Sequence, residues 1–144
     1  MNIDNLYTCS KCGYRRVVRN PGNVSTPTHC DGLVMIASKR ILTTVCFLDG
    51  NVIELSLLDN VLSDKGRAYE AIIRQINLDV FPANWIVRLA DEVCRAYGVQ
   101  YQSGIFSLVL TEITLEEAVF QLISAALTFY GMSIGTYRGA KGLR

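Results

Sequence analysis

A chain of 144 residues, half of them hydrophobic, has the size of one domain with a small appendage and excludes wholesale disorder. Its net charge of +1 neither demands nor excludes a polyanionic partner. The distribution says more: residues 1–45 carry six basic against two acidic side chains, residues 46–137 carry five against eleven, and the last seven residues add three basic ones. Arginine outnumbers lysine ten to four, which suits forked contacts to phosphate or carboxylate. The opening MNIDNLYTC has no basic n-region and no apolar h-region, so no secretory signal is expected. Five cysteines, an odd number, suit reduced thiols better than a disulfide framework, and the expected location is the cytoplasm.

In chain order, residues 1–37 read as a small module rich in Gly, Pro, Thr and Asn turn residues, followed by a body over 38–131 and a Gly-rich basic tail over 132–144. In the body, ILTTVCFL (41–48) and VIELSLL (52–58) are β-rich runs joined by the hairpin signal Asp49-Gly50-Asn51. Ser63-Asp64 is placed to cap a helix running to about Asn77, with Ala68, Ile72, Ile73 and Ile76 on its inner side. Pro82 suits the first turn of the next helix, in which Trp85, Ile86, Leu89, Val93 and Tyr97 recur at helical spacing until Gly98 stops it. IFSLVLTEI (105–113) is expected to be a third strand. Thr114 and Glu117 then form a capping box that opens a final helix to about Tyr130. The fold class is α+β with a small, mainly antiparallel sheet. Residues 118–137 carry no charge and have the length of a membrane span. Gln121, Ser124, Thr128, Gly131 and Gly135 argue instead for a helix buried on nearly all sides of a core, so membrane insertion is not expected. Cys46 and Cys94 are expected to be small buried hydrophobes.

The segment YTCSKCGYRRVVRNPGNVSTPTHC (7–30) carries three of the five cysteines and the only histidine. Zinc takes four ligands at tetrahedral corners, and Cys9-Ser10-Lys11-Cys12-Gly13 offers two thiolates from one tight turn. Gly13 lets the backbone curl beneath the metal and aim amides at sulfur. His29-Cys30 is the good nearby candidate for the second pair, and Pro21-Gly22 marks a bend that folds the pairs together. Four protein ligands leave no open position for water, so the expected metal is structural rather than catalytic.

Tyr7, Cys9, Cys12 and Gly13, a turn-rich spacer, then a Cys-containing pair with Met35 close behind, resemble the desulforedoxin module of the rubredoxin-like zinc-ribbon group. The resemblance spans about thirty residues. It implies a closed four-ligand site in which Cys30 matches the second of two adjacent cysteines and His29 stands where the first does. Three thiolates and one imidazole form a ligand set for zinc, and iron is the lesser expectation.

With His29 on a metal, no histidine remains for acid–base work, and no nucleophile elbow or phosphate loop is present; no catalytic residue or small-molecule substrate is nominated. Asp64, Asp91 and Glu92 read as solvated helix residues. The leading functional reading is a non-enzymatic binding protein in which Lys11, Tyr14, Arg15, Arg16 and Arg19, beside the metal knuckle, contact nucleic acid. The alternative is a protein-interaction or assembly subunit, a homo-oligomer or part of a larger complex, with a purely structural zinc.

Overall fold

The computed structural model describes residues 2–19, 26–77 and 83–142. Among these are nine strands and three helices, segregated into runs as expected for an α+β chain. The strands are β1 (Asn2–Thr8), β2 (Arg15–Arg19), β3 (Thr28–His29), β4 (Leu33–Val34), β5 (Ile36–Cys46), β6 (Val52–Leu58), β7 (Val61–Ser63), β8 (Gln100–Gln102) and β9 (Ile105–Val109). The helices are α1 (Arg67–Ile73), α2 (Ala83–Tyr97) and α3 (Leu115–Gly142). Seven strands form one antiparallel sheet in the order β2-β1-β5-β6-β7-β9-β8, and β3 with β4 makes a separate two-stranded ribbon.

Strand alternation puts Ile41, Ile53, Leu55, Leu62 and Phe106 on one face, all buried, and the three helices pack there. Ala68 and Ile72 of α1, Ile86, Ala90 and Val93 of α2, and Leu122, Ala126 and Phe129 of α3 complete the core. Each fully buried aliphatic or aromatic side chain of this kind stabilises the fold by about 1.5–3 kcal/mol. The predicted hairpin is present: Phe47 donates to the Asn51 carbonyl at 3.0 Å, and the Asp49 side chain accepts from the Asn51 amide at 3.0 Å. So is the capping box, with the Glu117 amide on Thr114 Oγ1 at 3.2 Å and the Thr114 amide on Glu117 Oε2 at 3.4 Å.

Several expectations are corrected. The strand expected from residue 41 begins at Ile36, so β5 runs through the anticipated 37/38 boundary and carries β1 and β2 into the main sheet. The helix expected from Ser63-Asp64 to Asn77 is the shorter α1, starting at Arg67. Cys46 is exposed rather than buried, because the register of β5 against β6 shifts between Leu42 and Cys46. Of the α2 residues expected at helical spacing, Trp85 lies 40% exposed, while Ala90 takes part in the core.

The final helix does not stop near Tyr130. It continues through the expected tail to Gly142, because Ile134 and Tyr137 extend its contact with the core and outweigh the poor helix propensity of the glycines. Nor is α3 buried on nearly all sides. Leu115–Gly139 is long and apolar enough to cross a membrane, and half of its 18-residue apolar window is covered by the rest of the fold. One side packs inward, whereas Phe120 on the other is 75% exposed. Pro21-Gly22 and Pro82 lie outside the described residues.

Candidate metal centre

The chain leaves β1 at Thr8 and re-enters the sheet at Arg15, and the turn between holds the CxxC pair. Gly13 donates to the Cys9 carbonyl at 2.9 Å and Cys9 to the Tyr14 carbonyl at 2.8 Å. Gly13 has φ +78°, a left-handed conformation that glycine adopts without Cβ strain. The Tyr14 amide then points at Cys12 Sγ at 3.4 Å, the backbone-to-sulfur contact that a bound thiolate uses.

The second pair comes from the β3–β4 ribbon, registered by Thr28 against Val34 and His29 against Leu33. How two adjacent residues can both face one point is explained by the backbone. His29 ends β3, while Cys30 and Asp31 take positive φ values of 47° and 63°, which turns the Cys30 side chain to the same side as the His29 ring. His29 Nδ1 lies 3.3 Å from Cys12 Sγ and 3.4 Å from Cys30 Sγ. The ligand atoms of Cys9, Cys12, His29 and Cys30 all fall within 4.8 Å of one another. Tetrahedral zinc with ordinary Zn–S and Zn–N bonds sets N and S about 3.6 Å apart, so the donor set fits a zinc-sized ion.

The electrostatics lead to the same place. The Cys9 thiol is drawn down to about 6, chiefly by the Cys12 backbone N–H and with the Lys11 N–H helping against burial. The Cys30 thiol is pushed up to about 12, first by the Cys12 sulfur and then by the Cys9 sulfur. Thiols this close cannot all shed their protons beside one another, and a divalent cation at their centre removes that conflict. Cys9 is itself buried, with Tyr7 and Met35, in a small apolar cluster flanked by Val18. The Tyr14 ring stacks on His29 at 4.4 Å and 8°, which fixes the imidazole plane.

The other candidate residues do not form one surface. Lys11 is exposed and only loosely paired to Asp31 at 3.8 Å. Tyr14 has one ring face taken by His29. Arg15 lies opposite Thr8 and Arg16 opposite Tyr7, so successive residues of β2 point to opposite faces of the sheet. Arg19 pairs with Asp4 in the register at the end of β2. The joint basic patch expected from the sequence is therefore split.

Comparison with protein-family models, curated proteins and solved structures yields no match. The site must be judged on its own geometry.

Two features escaped the sequence reading. Asp64, read as a solvated helix residue, is fully buried. Its Oδ1 accepts from the Gly66 amide at 2.9 Å and the Phe106 amide at 3.0 Å, and its Oδ2 from the Ala68 amide at 3.3 Å. Burial pushes its carboxyl above the usual range, with those three donors opposing. The second is an ion network across β1, β5, β6 and α1. Arg40 reaches Asp4 at 3.0 Å and Glu54 at 3.3 Å, and Arg67 reaches Glu54 at 2.8 Å. The strand register and the position of α1 bring these four together, and no local sequence signal announces them.

Proposed function

We propose that the protein is a non-enzymatic nucleic-acid-binding protein whose N-terminal hairpin is pinned by a structural zinc of zinc-ribbon type. The observation that carries the reading is the closed set of Cys9, Cys12, His29 and Cys30, whose donor atoms share one centre. Four protein ligands fill a tetrahedron and leave no position for a reacting water. The small apolar cluster of Tyr7, Cys9 and Met35 gives the turn little other support, so the metal supplies much of its folding energy. Exposed Lys11, Arg15 and Arg16 on and beside this rigid turn support contact with phosphates. Metal analysis of protein purified without added metal tests the clip. One equivalent of zinc is expected, and iron with visible colour would replace the structural reading with a redox one. Titration of labelled oligonucleotide at low salt tests the binding.

A second reading, an assembly subunit built on the same clip, is favoured by the outer side of α3. Phe120, Gly131 and Gly135 recur there at helical spacing, and a side chain at either glycine would meet nothing within 4 Å. Stable dimers by mass measurement, with no oligonucleotide bound, would favour this reading over the first.

A further inference from the structure

With helices on one face of the sheet, the register defines what lines the other. Following the paired residues from β1 across to β8 gives one transverse row: Asp4, Arg40, Ser56, Ser63, Ser107 and Gln100. Every member is polar. A solvated antiparallel face is ordinarily polar, but this row is not fully solvated: Asp4 and Ser63 are buried, and Arg40, Ser56 and Ser107 are half-buried. Its members Arg40, Ser56, Ser63 and Ser107 line a depression. Two hollows of about 430 and 360 Å³ occupy that depression and share Ser56, Leu58 and Lys65, so they join into one groove from Arg15 on β2 to Ser107 on β9. Crossing six neighbouring strands at about 4.8 Å each, the groove is on the order of 24 Å long.

Its charges divide into two kinds. Arg40 and Arg67 are held by Asp4 and Glu54, which fixes them along the groove. Arg15 and Lys65 are exposed and have no carboxylate within ion-pair distance among the described residues. Arg67 Nε is buried without a hydrogen-bond acceptor, a donor left over after its terminal nitrogen has met Glu54. Asp59 lies at the far end, so the positive potential is strongest near β2. Lys65 is also held in place. It takes φ +54°, its amide donates to Ser63 Oγ at 2.9 Å, and the next amide, of Gly66, donates to buried Asp64.

We propose that this groove binds a single strand of nucleic acid, with phosphates on Arg15 and Lys65, the serine row meeting its polar edges, and Leu6, Ile36 and Leu58 touching the bases. The proposal rests on the nucleic-acid reading above and moves the contact from the knuckle tip to the open sheet face. The length argues for a polymer over a lone anion. The shape argues for a single strand, because a concave sheet face offers no helix or ribbon to enter a duplex groove, whereas an unpaired strand can lie within it.

The test is fluorescence anisotropy of a labelled thymidine 15-mer, its uridine RNA counterpart and a 15-base-pair duplex with the full-length, metal-bound protein. The single strands are expected to bind more tightly than the duplex. Each cation contributes about 0.7 to the log–log salt slope for a single strand, so Arg15→Gln with Lys65→Gln should flatten it by about 1.4. Between about 50 and 200 mM salt, the unmodified protein then loses roughly sevenfold more affinity than this variant. Neither side chain has an ion-pair partner among the described residues, so the variant should keep its melting temperature. Lys39→Gln, on the other face, should leave both quantities unchanged. If Lys11→Gln with Arg16→Gln abolishes binding and the Arg15/Lys65 variant does not, the groove is overturned and the knuckle reading survives. Equal affinity for duplex and single strand overturns the single-strand assignment. No binding of any probe at low salt overturns the groove and the nucleic-acid reading together.

Discussion

Asp64 ties the β7–α1 turn to β9, and its removal should be among the most damaging single changes in the chain. Asp64→Ala strands three buried amides, those of Gly66, Ala68 and Phe106. Each buried donor left without an acceptor costs about 1–3 kcal/mol, and partial rehydration of the turn brings the total to roughly 3–6 kcal/mol. At about 2–4 °C per kcal/mol for a domain of this size, the melting temperature should fall by roughly 6–24 °C. Asp64→Asn separates hydrogen bonding from charge. With its carbonyl oxygen at the Oδ1 position it keeps the Gly66 and Phe106 bonds and loses the longest, from Ala68. Its cost should be about 1 kcal/mol at neutral pH, where it also relieves a buried carboxylate. The pH dependence has a definite sign. Because burial raises the folded-state carboxyl above its unfolded value, the group destabilises nothing below the unfolded value and progressively more as pH rises through the folded one. The deficit of the Asn variant should therefore be larger near pH 4 than at pH 7. Urea unfolding followed by circular dichroism at both pH values measures all of this. A cost for Asp64→Ala below about 1 kcal/mol, or equal costs for the two variants, would refute the account of Asp64 as an acceptor for three amides.

Three other outcomes are expected. Cys12→Ser, or a chelator, should remove the metal and release the turn between β1 and β2; since β1 lies between β2 and β5, a lower melting temperature should accompany the loss of zinc by atomic absorption. An unchanged melting curve in the metal-free protein would show that the apolar cluster holds the knuckle unaided. Thr114→Ala removes the acceptor at the start of α3 and should cost about 1 kcal/mol, read as a shift of roughly 2–4 °C; no shift would mean the box is not formed in solution. Phe106→Ala deletes a fully buried ring packed against Tyr101 and Phe129 at 4.8 and 5.0 Å, and should cost about 3–5 kcal/mol in urea unfolding, a smaller value indicating that the neighbours collapse into the space.

Those predictions draw on features that differ greatly in how visible they are in the sequence. The Cys9, Cys12, His29 and Cys30 cluster is legible because the CxxC turn is local and a single histidine beside a cysteine leaves little choice of partner. The Asp49-Gly50-Asn51 turn, the capping box and the Gly98 stop of α2 are legible for the same reason, each being a hydrogen-bond motif closed within about five residues. What escaped is set by partners far along the chain. The three-residue strand β7 is too short to show a period, and besides its neighbour β6 it pairs with β9, more than forty residues on. Asp64 cannot be told from a solvated acid until Phe106, more than forty residues on, donates to it.

The same distinction bears on where a partner would sit. Read along the chain, Arg15 and Arg16 are neighbours beside the candidate metal clip and invite a single basic patch. Folded, they lie on opposite faces, and Arg15 instead shares a groove with Lys65, fifty residues later. The clip and the groove are mechanically linked through β1. A metal held by Cys9, Cys12, His29 and Cys30 would fix the turn from which β2 starts, and β2 carries Arg15, while Asp4 on β1 anchors Arg40 at the groove floor. Metal removal should therefore weaken oligonucleotide binding even though no ligand of the metal lines the groove. The loss should show as half the salt-slope change of the Arg15/Lys65 variant, a flattening of about 0.7, if Arg15 alone is displaced. An apo-protein that keeps both its fold and its full salt slope would separate the two sites and refute the coupling.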